Sequence, residues 1–347
     1  MPPNEKRIAL TDGAKRNVES VRAERFESGP AAHRQLWLRR HAHDNIEGTT
    51  MKTETIIRIT TLVMLTAADP ALAHPGSGIA VDREGQVYFT QTNGKGTWKV
   101  SAKGELTLIS DVRDHWLDID LEGHFSRSNL KDFQRITPDG ARPAILLNGD
   151  YPFTVNRDGN IYSTLWKPGR LEINRQTPDG KVSTMQLEGA TNAALGGITG
   201  IASGPDGSLF VTDGSMLLKV TLPGRVSTLA AKVVVSDCPD DLPEPHLRGV
   251  PPAPFLRGLA VDSEGAVYAA ANRCRAVLKI TPDGKVTTIL RATAPWSPTG
   301  VAVADGVVYV QEYDFPEAGP RQYEQRPRVR KLGRDGQITT LAIVGEK

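Results

Sequence analysis

One stretch recurs along this chain, and a unit too small to bury its own apolar faces folds only by stacking against its copies. The clearest copy is Gly258–Leu290, GLAVDSEGAVYAAANRCRAVLKITPDGKVTTIL. It holds four short runs rich in Val, Ile, Leu, Thr and Tyr, punctuated by turn signals at Ser263–Gly265 and Pro282–Gly284. Such runs read as strands joined by hairpins. The expected strands are A (258–262), B (266–270), C (276–281) and D (285–290).

Five further copies start at GIAVDREG (Gly78), WLDIDLEG (Trp116), FTVNRDG (Phe153), GIASGPDG (Gly200) and GVAVADG (Gly300). Their A–B turn glycines are Gly85, Gly123, Gly159, Gly207, Gly265 and Gly306; the C–D ones are Gly104, Gly140, Gly180, Gly224, Gly284 and Gly336. The copies lie roughly 36 to 60 residues apart, the spacing of propeller blades. Six four-stranded antiparallel meanders closed in a ring make an all-β, six-bladed β-propeller, which leaves only short edges. Two turn glycines per copy, in constant order, argue against a β-sandwich or an open solenoid.

The first seventy-odd residues have no such pattern. Residues 1–50 are rich in Arg and Glu and read as a disordered extension. From Met51 the chain reads as a secretory signal peptide over 51–73: Lys52 in a positive n-region, a mostly apolar Ile56–Leu65, and Ala71-Leu72-Ala73 before His74. Met51 is then the expected start, 74–347 the mature propeller, and the compartment periplasmic or extracellular. The apolar core is too short for a membrane span and contains Arg58, so no stable membrane insertion is expected after cleavage. The net charge is +2 and no Lys/Arg stripe crosses the repeats, so nucleic acid is not an expected partner.

In a ring of meanders, the D-to-A connections and B–C loops share one face, and length variation falls there, so function is expected there. The residues just before each strand A are Ser77, His115, Tyr151, Thr199, Arg257 and Thr299. The B–C loops add Trp166, Asp213, Asn272, Arg273, Glu312, Tyr313 and Asp314. This polar and aromatic set suits a small polar or anionic ligand, or a protein partner. His115 is the candidate general base, oriented by Glu312 or Asp314; the others are candidate ligand contacts. Arg321, Arg326 and Arg328, in the last B–C loop, are candidates to face an anion. A proline-rich, lid-like insertion at 232–256 carries Cys238, and the fifth B–C loop carries Cys274. The topology brings these loops to one face, and two cysteines in an exported chain read as a disulfide.

The repeats GLAVDSEGAVY…VLKITPDGKVTTI resemble NHL-type repeats. With SPTGVAVADGVVYVQEYD…RPRVRKLGRDGQITTLA, residues 78–345 are similar to the superfamily of senescence marker protein, gluconolactonase and luciferin-regenerating enzyme. That resemblance implies, as an alternative to plain binding, a metal-dependent lactonase or esterase with one divalent cation at the channel mouth, calcium foremost. Such an ion polarises a lactone carbonyl and activates water. The resemblance places its ligands at a Glu before the first inner strand, an Asn before an inner Gly-Ile/Leu-Ala strand and an Asp one blade on. The matching positions here are Ser77, Thr199 and Arg257, while Asp213 matches an acidic position that follows strand B.

Overall fold

A computed structural model describes residues 76–345, apart from positions 93, 127, 131, 139–142, 168–169, 190–197, 239–253 and 316–324; at 165–167 and 170 the backbone alone is described. The extension 1–50, the 51–73 segment and most of the 232–256 insertion therefore lie outside the described residues, as do Gly140 and Arg321.

Six sheets stand side by side. Blade 1 is β1 (Ile79–Val81), β2 (Val87–Gln91), β3 (Gly96–Val100) and β4 (Leu106–Ser110). Blade 2 is β5 (Trp116–Asp120), β6 (Gln134–Ile136) and β7 (Ala144–Asn148). Blade 3 is β8 (Phe153–Val155), β9 (Ile161–Lys167), β10 (Arg170–Gln176) and β11 (Val182–Thr184). Blade 4 is β12 (Glu188–Gly189), β13 (Ile198–Ser203), β14 (Leu209–Asp213), β15 (Met216–Thr221) and β16 (Arg225–Ala230). Blade 5 is β17 (Leu256–Val261), β18 (Val267–Ala271), β19 (Ala276–Ile280) and β20 (Val286–Arg291). Blade 6 is β21 (Trp296–Ala304), β22 (Val307–Asp314), β23 (Pro327–Leu332) and β24 (Ile338–Ile343). The inner strands β1, β5, β8, β13, β17 and β21 touch in that order, and β21 returns to β1. The fold is a closed six-bladed β-propeller.

The core is divided among the six seams. Phe89 and Val87 pack on Tyr309 and Val329 of blade 6, while Tyr88, between them in sequence, packs on Leu117 and Ile145 of blade 2. On β18, Val267 and Ala269 face blade 4 while Tyr268 and Ala270 face blade 6. A middle strand buried on both faces needs an unbroken apolar run, since alternate side chains serve opposite seams. Among the described residues no strand is exchanged where the ring closes. The buried Gln311 Nε2 and Tyr313 hydroxyl both donate to the Thr90 carbonyl, at 2.6 and 2.8 Å, across the seam between blades 6 and 1. Every A–B turn glycine and every described C–D turn glycine has positive φ, as hairpin turns of this kind require.

Blade 2 departs from the expected meander. Among the described residues it has three strands in the order β5-β7-β6, so the expected fourth strand lies directly against the inner one. The second place in a blade is buried on both faces. AILLN on β7 is buried throughout, whereas the expected second strand starts with His124-Phe125-Ser126, in which two polar residues flank the buried Phe125. That segment peels away instead: Asp120 accepts the Phe125 N–H at 2.9 Å and lies 2.9 Å from His124 Nδ1. Blade 4 departs in the other direction, adding the short β12 parallel to its outer strand β16.

The strand order gives a direct prediction. Leu146→Ala on β7 should cost about 2–5 kcal/mol, the range for a fully buried leucine. On a half-exposed outer strand the same change would cost well under half that. Urea unfolding of the purified variant distinguishes the two positions.

Candidate functional site

The B–C loops and pre-strand residues converge at one end of the channel, and they tie the blades together there. Ser77 and Gly78 N–H groups both donate to the His115 carbonyl at 3.0 Å. Thr199 Oγ1 donates to the Leu256 carbonyl at 2.6 Å, linking blades 4 and 5. Asn272 Nδ2 donates to Ser297 Oγ and to the Pro298 carbonyl, linking blades 5 and 6. Thr199 and Asn272, expected as ligand contacts, thus use these polar atoms as blade-to-blade ties. Cys238 and Cys274 form the expected disulfide. Arg291 donates to the carbonyls of Ser236, Asp237 and Cys274, holding the same loop.

The remaining expected residues fall on two sides of the mouth. On blades 2 and 3, His115 Nδ1 lies 3.2 Å from the Gly149 carbonyl. A carbonyl only accepts, so Nδ1 carries the proton and Nε2 is the basic atom of the neutral ring. Tyr151 packs edge-on against Phe133, and burial, followed by the charge of Asp132, pushes its hydroxyl up to about 12. Asp114 is also raised, by burial and then by the charge of Asp150. Trp166 lies on β9, its side chain outside the described residues. Asp213 closes β14, buried opposite Met216.

On blades 5, 6 and 1 the charge is of the other sign. Arg257 is 8% exposed at the channel end of β17, 5.9 Å above the Phe255 ring. Its charge reaches the buried Tyr313 hydroxyl, whose pKa burial raises. Arg273 is part-buried at the disulfide loop. Glu312 is fully buried and bonded by Arg328 and Arg330; Asp314 is bonded by Arg326. The carboxylates offered to His115 as orienting groups are therefore engaged by arginines of their own blade.

Four oxygens gather where blades 6 and 1 meet at the mouth: Ser77 Oγ, Thr90 Oγ1, Thr299 Oγ1 and Gln311 Oε1. All four are buried and have no hydrogen-bond partner among the described residues. Their residues adjoin one another, since Gln311 bonds Thr90 and a Cβ on Gly300 would lie 2.5 Å from the Ser77 carbonyl. Tyr313, beside Thr90, brings Arg257 into the same neighbourhood. A divalent cation of the kind the resemblance implies does not fit here. One expected ligand position is the cationic Arg257, another is the already bonded Thr199, and no group of three His, Cys, Asp or Glu among the described residues is arranged to hold a metal.

Sequence reasoning missed Asp118. Its position on the inner strand is Ala80, Ala202, Ala260 and Ala302 in four other blades, where small residues fit the crowded axis. Asp118 instead accepts the Val155 N–H of blade 3 at 2.7 Å and the Ile119 N–H at 2.8 Å. Burial raises its pKa to about 6 despite these donors and Thr154, and the Asp120 charge adds to the rise. The break in the alanine pattern was the available signal.

Comparisons with known proteins agree with the architecture. No family profile matches the chain. Virginiamycin B lyase of Nocardia farcinica (strain IFM 10152) is 30% identical over 187 residues, 47% of this chain and 63% of that protein. The match thus spans less than two thirds of the relative's length. Among solved structures, luciferin-regenerating enzyme superposes with a TM-score of 0.50 at 16% identity, covering 78% of this chain and 93% of that one. Virginiamycin B lyase from Staphylococcus aureus gives 0.45 at 17% identity, covering 79% and 85%. At 16% identity the likeness to luciferin-regenerating enzyme is one of fold alone, and the fold of this chain is the six-bladed β-propeller.

Asp118 supplies a pH test. Its folded pKa lies above the ordinary carboxylate value, so its ionisation costs stability as pH rises from about 4 through about 6. Asp118→Ala removes that cost together with two hydrogen bonds that count at every pH. The stability of Asp118→Ala relative to the parent should therefore improve by roughly 3 kcal/mol between pH 3.5 and 7.5. A pH-independent difference in urea unfolding would show that Asp118 ionises normally.

Proposed function

We propose that this protein is an exported binding propeller that takes a small organic anion at its channel mouth without transforming it. The observation that carries this reading is the group of four partnerless oxygens beside Arg257. Buried polar groups in native folds are satisfied almost without exception, and an unsatisfied set at a mouth suits a ligand's polar atoms. The three hydroxyls and the guanidinium donate to an oxyanion. Gln311 Oε1 can only accept, because its Nε2 is committed to Thr90, so it calls for a donor on the ligand. That combination describes a hydroxy acid or a similar small anion with one donor group. Export is supported by the signal-like 51–73 segment and by the disulfide, which persists in oxidising compartments.

A second reading, a lyase, is favoured by the name of the 30% identical relative. It would use His115 Nε2 as the base at the mouth. Calorimetric titration with a panel of small hydroxy acids and their deoxy analogues separates the two. The binding reading predicts that hydroxy acids bind more tightly than deoxy partners, that Arg257→Gln weakens binding at least tenfold, and that His115→Ala leaves affinity within twofold. Consumption of a bound compound by the parent, abolished by His115→Ala, would overturn it in favour of the lyase.

A further inference from the structure

We propose that the seam between blades 5 and 6 holds a second oxyanion site, built on Arg328 and Arg330 and separate from the channel mouth. The register of β22 and β23 sets Glu312 opposite Arg328 and Val310 opposite Arg330. Val308 and Val310 pack on Tyr268, Ala270 and Val277 of blade 5, so this face of blade 6 looks into the seam. Glu312 has the same parity on β22 and shares that face. Its carboxylate accepts from Arg328 Nε and Arg330 Nη2.

Among the described residues the charge there does not balance. Arg326, Arg328 and Arg330 face two carboxylates, Glu312 and Asp314, both of which are already bonded. The Arg328 and Arg330 side chains are each only 12% exposed, so water does little to screen the surplus positive charge. Burial lowers the Arg328 pKa, and the charge of Arg330 lowers it further. Among the described residues, Arg330 Nε is buried with no hydrogen-bond partner, and so is Nε of Arg275, an 8% exposed residue of the blade-5 B–C loop.

The arginines are also braced. The Arg328 guanidinium lies 4.1 Å from the centre of the Trp296 ring, and Arg330 Nη2 also donates to the Arg291 carbonyl. Asn272 fixes the two blades against each other through Ser297 and Pro298. Rigid guanidinium forks with donors to spare are the arrangement that recognises carboxylate or phosphate. The site lies on the third strand from the axis, whereas Arg257 lies on an inner strand. The two sites are carried by different blades, Arg257 by blade 5 and the arginine pair by blade 6. The proposal therefore does not depend on what the mouth binds.

The test uses the full chain, titrated with inorganic phosphate and, separately, with succinate, at constant ionic strength set by sodium chloride. Saturable heat, or a saturable rise in Tm, with either anion is expected. Whichever anion gives it identifies the group recognised. Arg330→Gln should weaken binding at least tenfold, and Arg257→Gln should leave this Arg330-dependent binding within twofold. If Arg330→Gln proves unfolded by circular dichroism, Arg328→Lys, which keeps the charge and loses the fork, should show the same loss. No saturable response to either anion, or parental affinity in the folded seam variant, would overturn the proposal. Loss of binding in Arg257→Gln alone would assign the anion to the mouth and overturn it equally.

Discussion

The ring depends on backbone meeting backbone at its axis. Six inner strands converge there, and at four of them the approach is too close for a side chain. A Cβ on Gly300 would lie 2.5 Å from the Ser77 carbonyl oxygen, and one on Gly258 would lie 2.8 Å from Gly300 itself. Gly78 and Gly200 stand equally close to blades 2 and 5. These glycines sit at the mouth end of strand A, so the contact that closes the ring also sets the positions of Ser77, Thr199, Arg257 and Thr299. Outward from the axis, six apolar seams fill the space between blades. Closure between blades 6 and 1 is made by one such seam and by two side-chain bonds to Thr90, with no strand exchanged among the described residues.

The mouth inherits a division of charge from this arrangement. Asp114, Asp132 and Asp150 lie near Tyr151 on blades 2 and 3. Arg257 and Arg273 lie on blade 5 across from them, while the arginines of β23 stand apart in the seam between blades 5 and 6. Glu312 and Asp314, which read from sequence as partners for a catalytic histidine, serve to hold arginines. The anion site proposed above lies on the side of the mouth where Arg257 stands.

Much of the fold was legible in the chain because turn glycines and apolar runs are local signals. The four strands of Gly258–Leu290 fall within two residues of the strands observed. The Cys238–Cys274 bond was legible because topology alone brings the two loops to one face. Blade 2 was not legible as a meander in the wrong order, because strand order there is set by competition. Ala144–Asn148 displaces His124–Ser126 from the doubly buried place, and no local pattern announces which run wins. The site was legible only as a list of mouth residues. That Thr199 and Asn272 tie blades, or that Arg330 shares Glu312 with Arg328, follows from cross-strand register, which a single sequence does not display. Asp118 was visible in sequence as the one acid among alanines, but its meaning required the neighbouring Val155 N–H.

The most direct test of axial closure is the thermal unfolding of Gly300→Ala. Gly300 does not have positive φ, so alanine is conformationally allowed and only the contact with blade 1 is probed. Overpacking against a movable side chain costs about 1–3 kcal/mol, and a backbone carbonyl has less freedom to yield. The account predicts a loss of at least that size, with Tm lowered by several degrees or the ring failing to fold. A Tm within one degree of the parent would show that the inner strands have room to spare and that the blades are held together without contact at the axis.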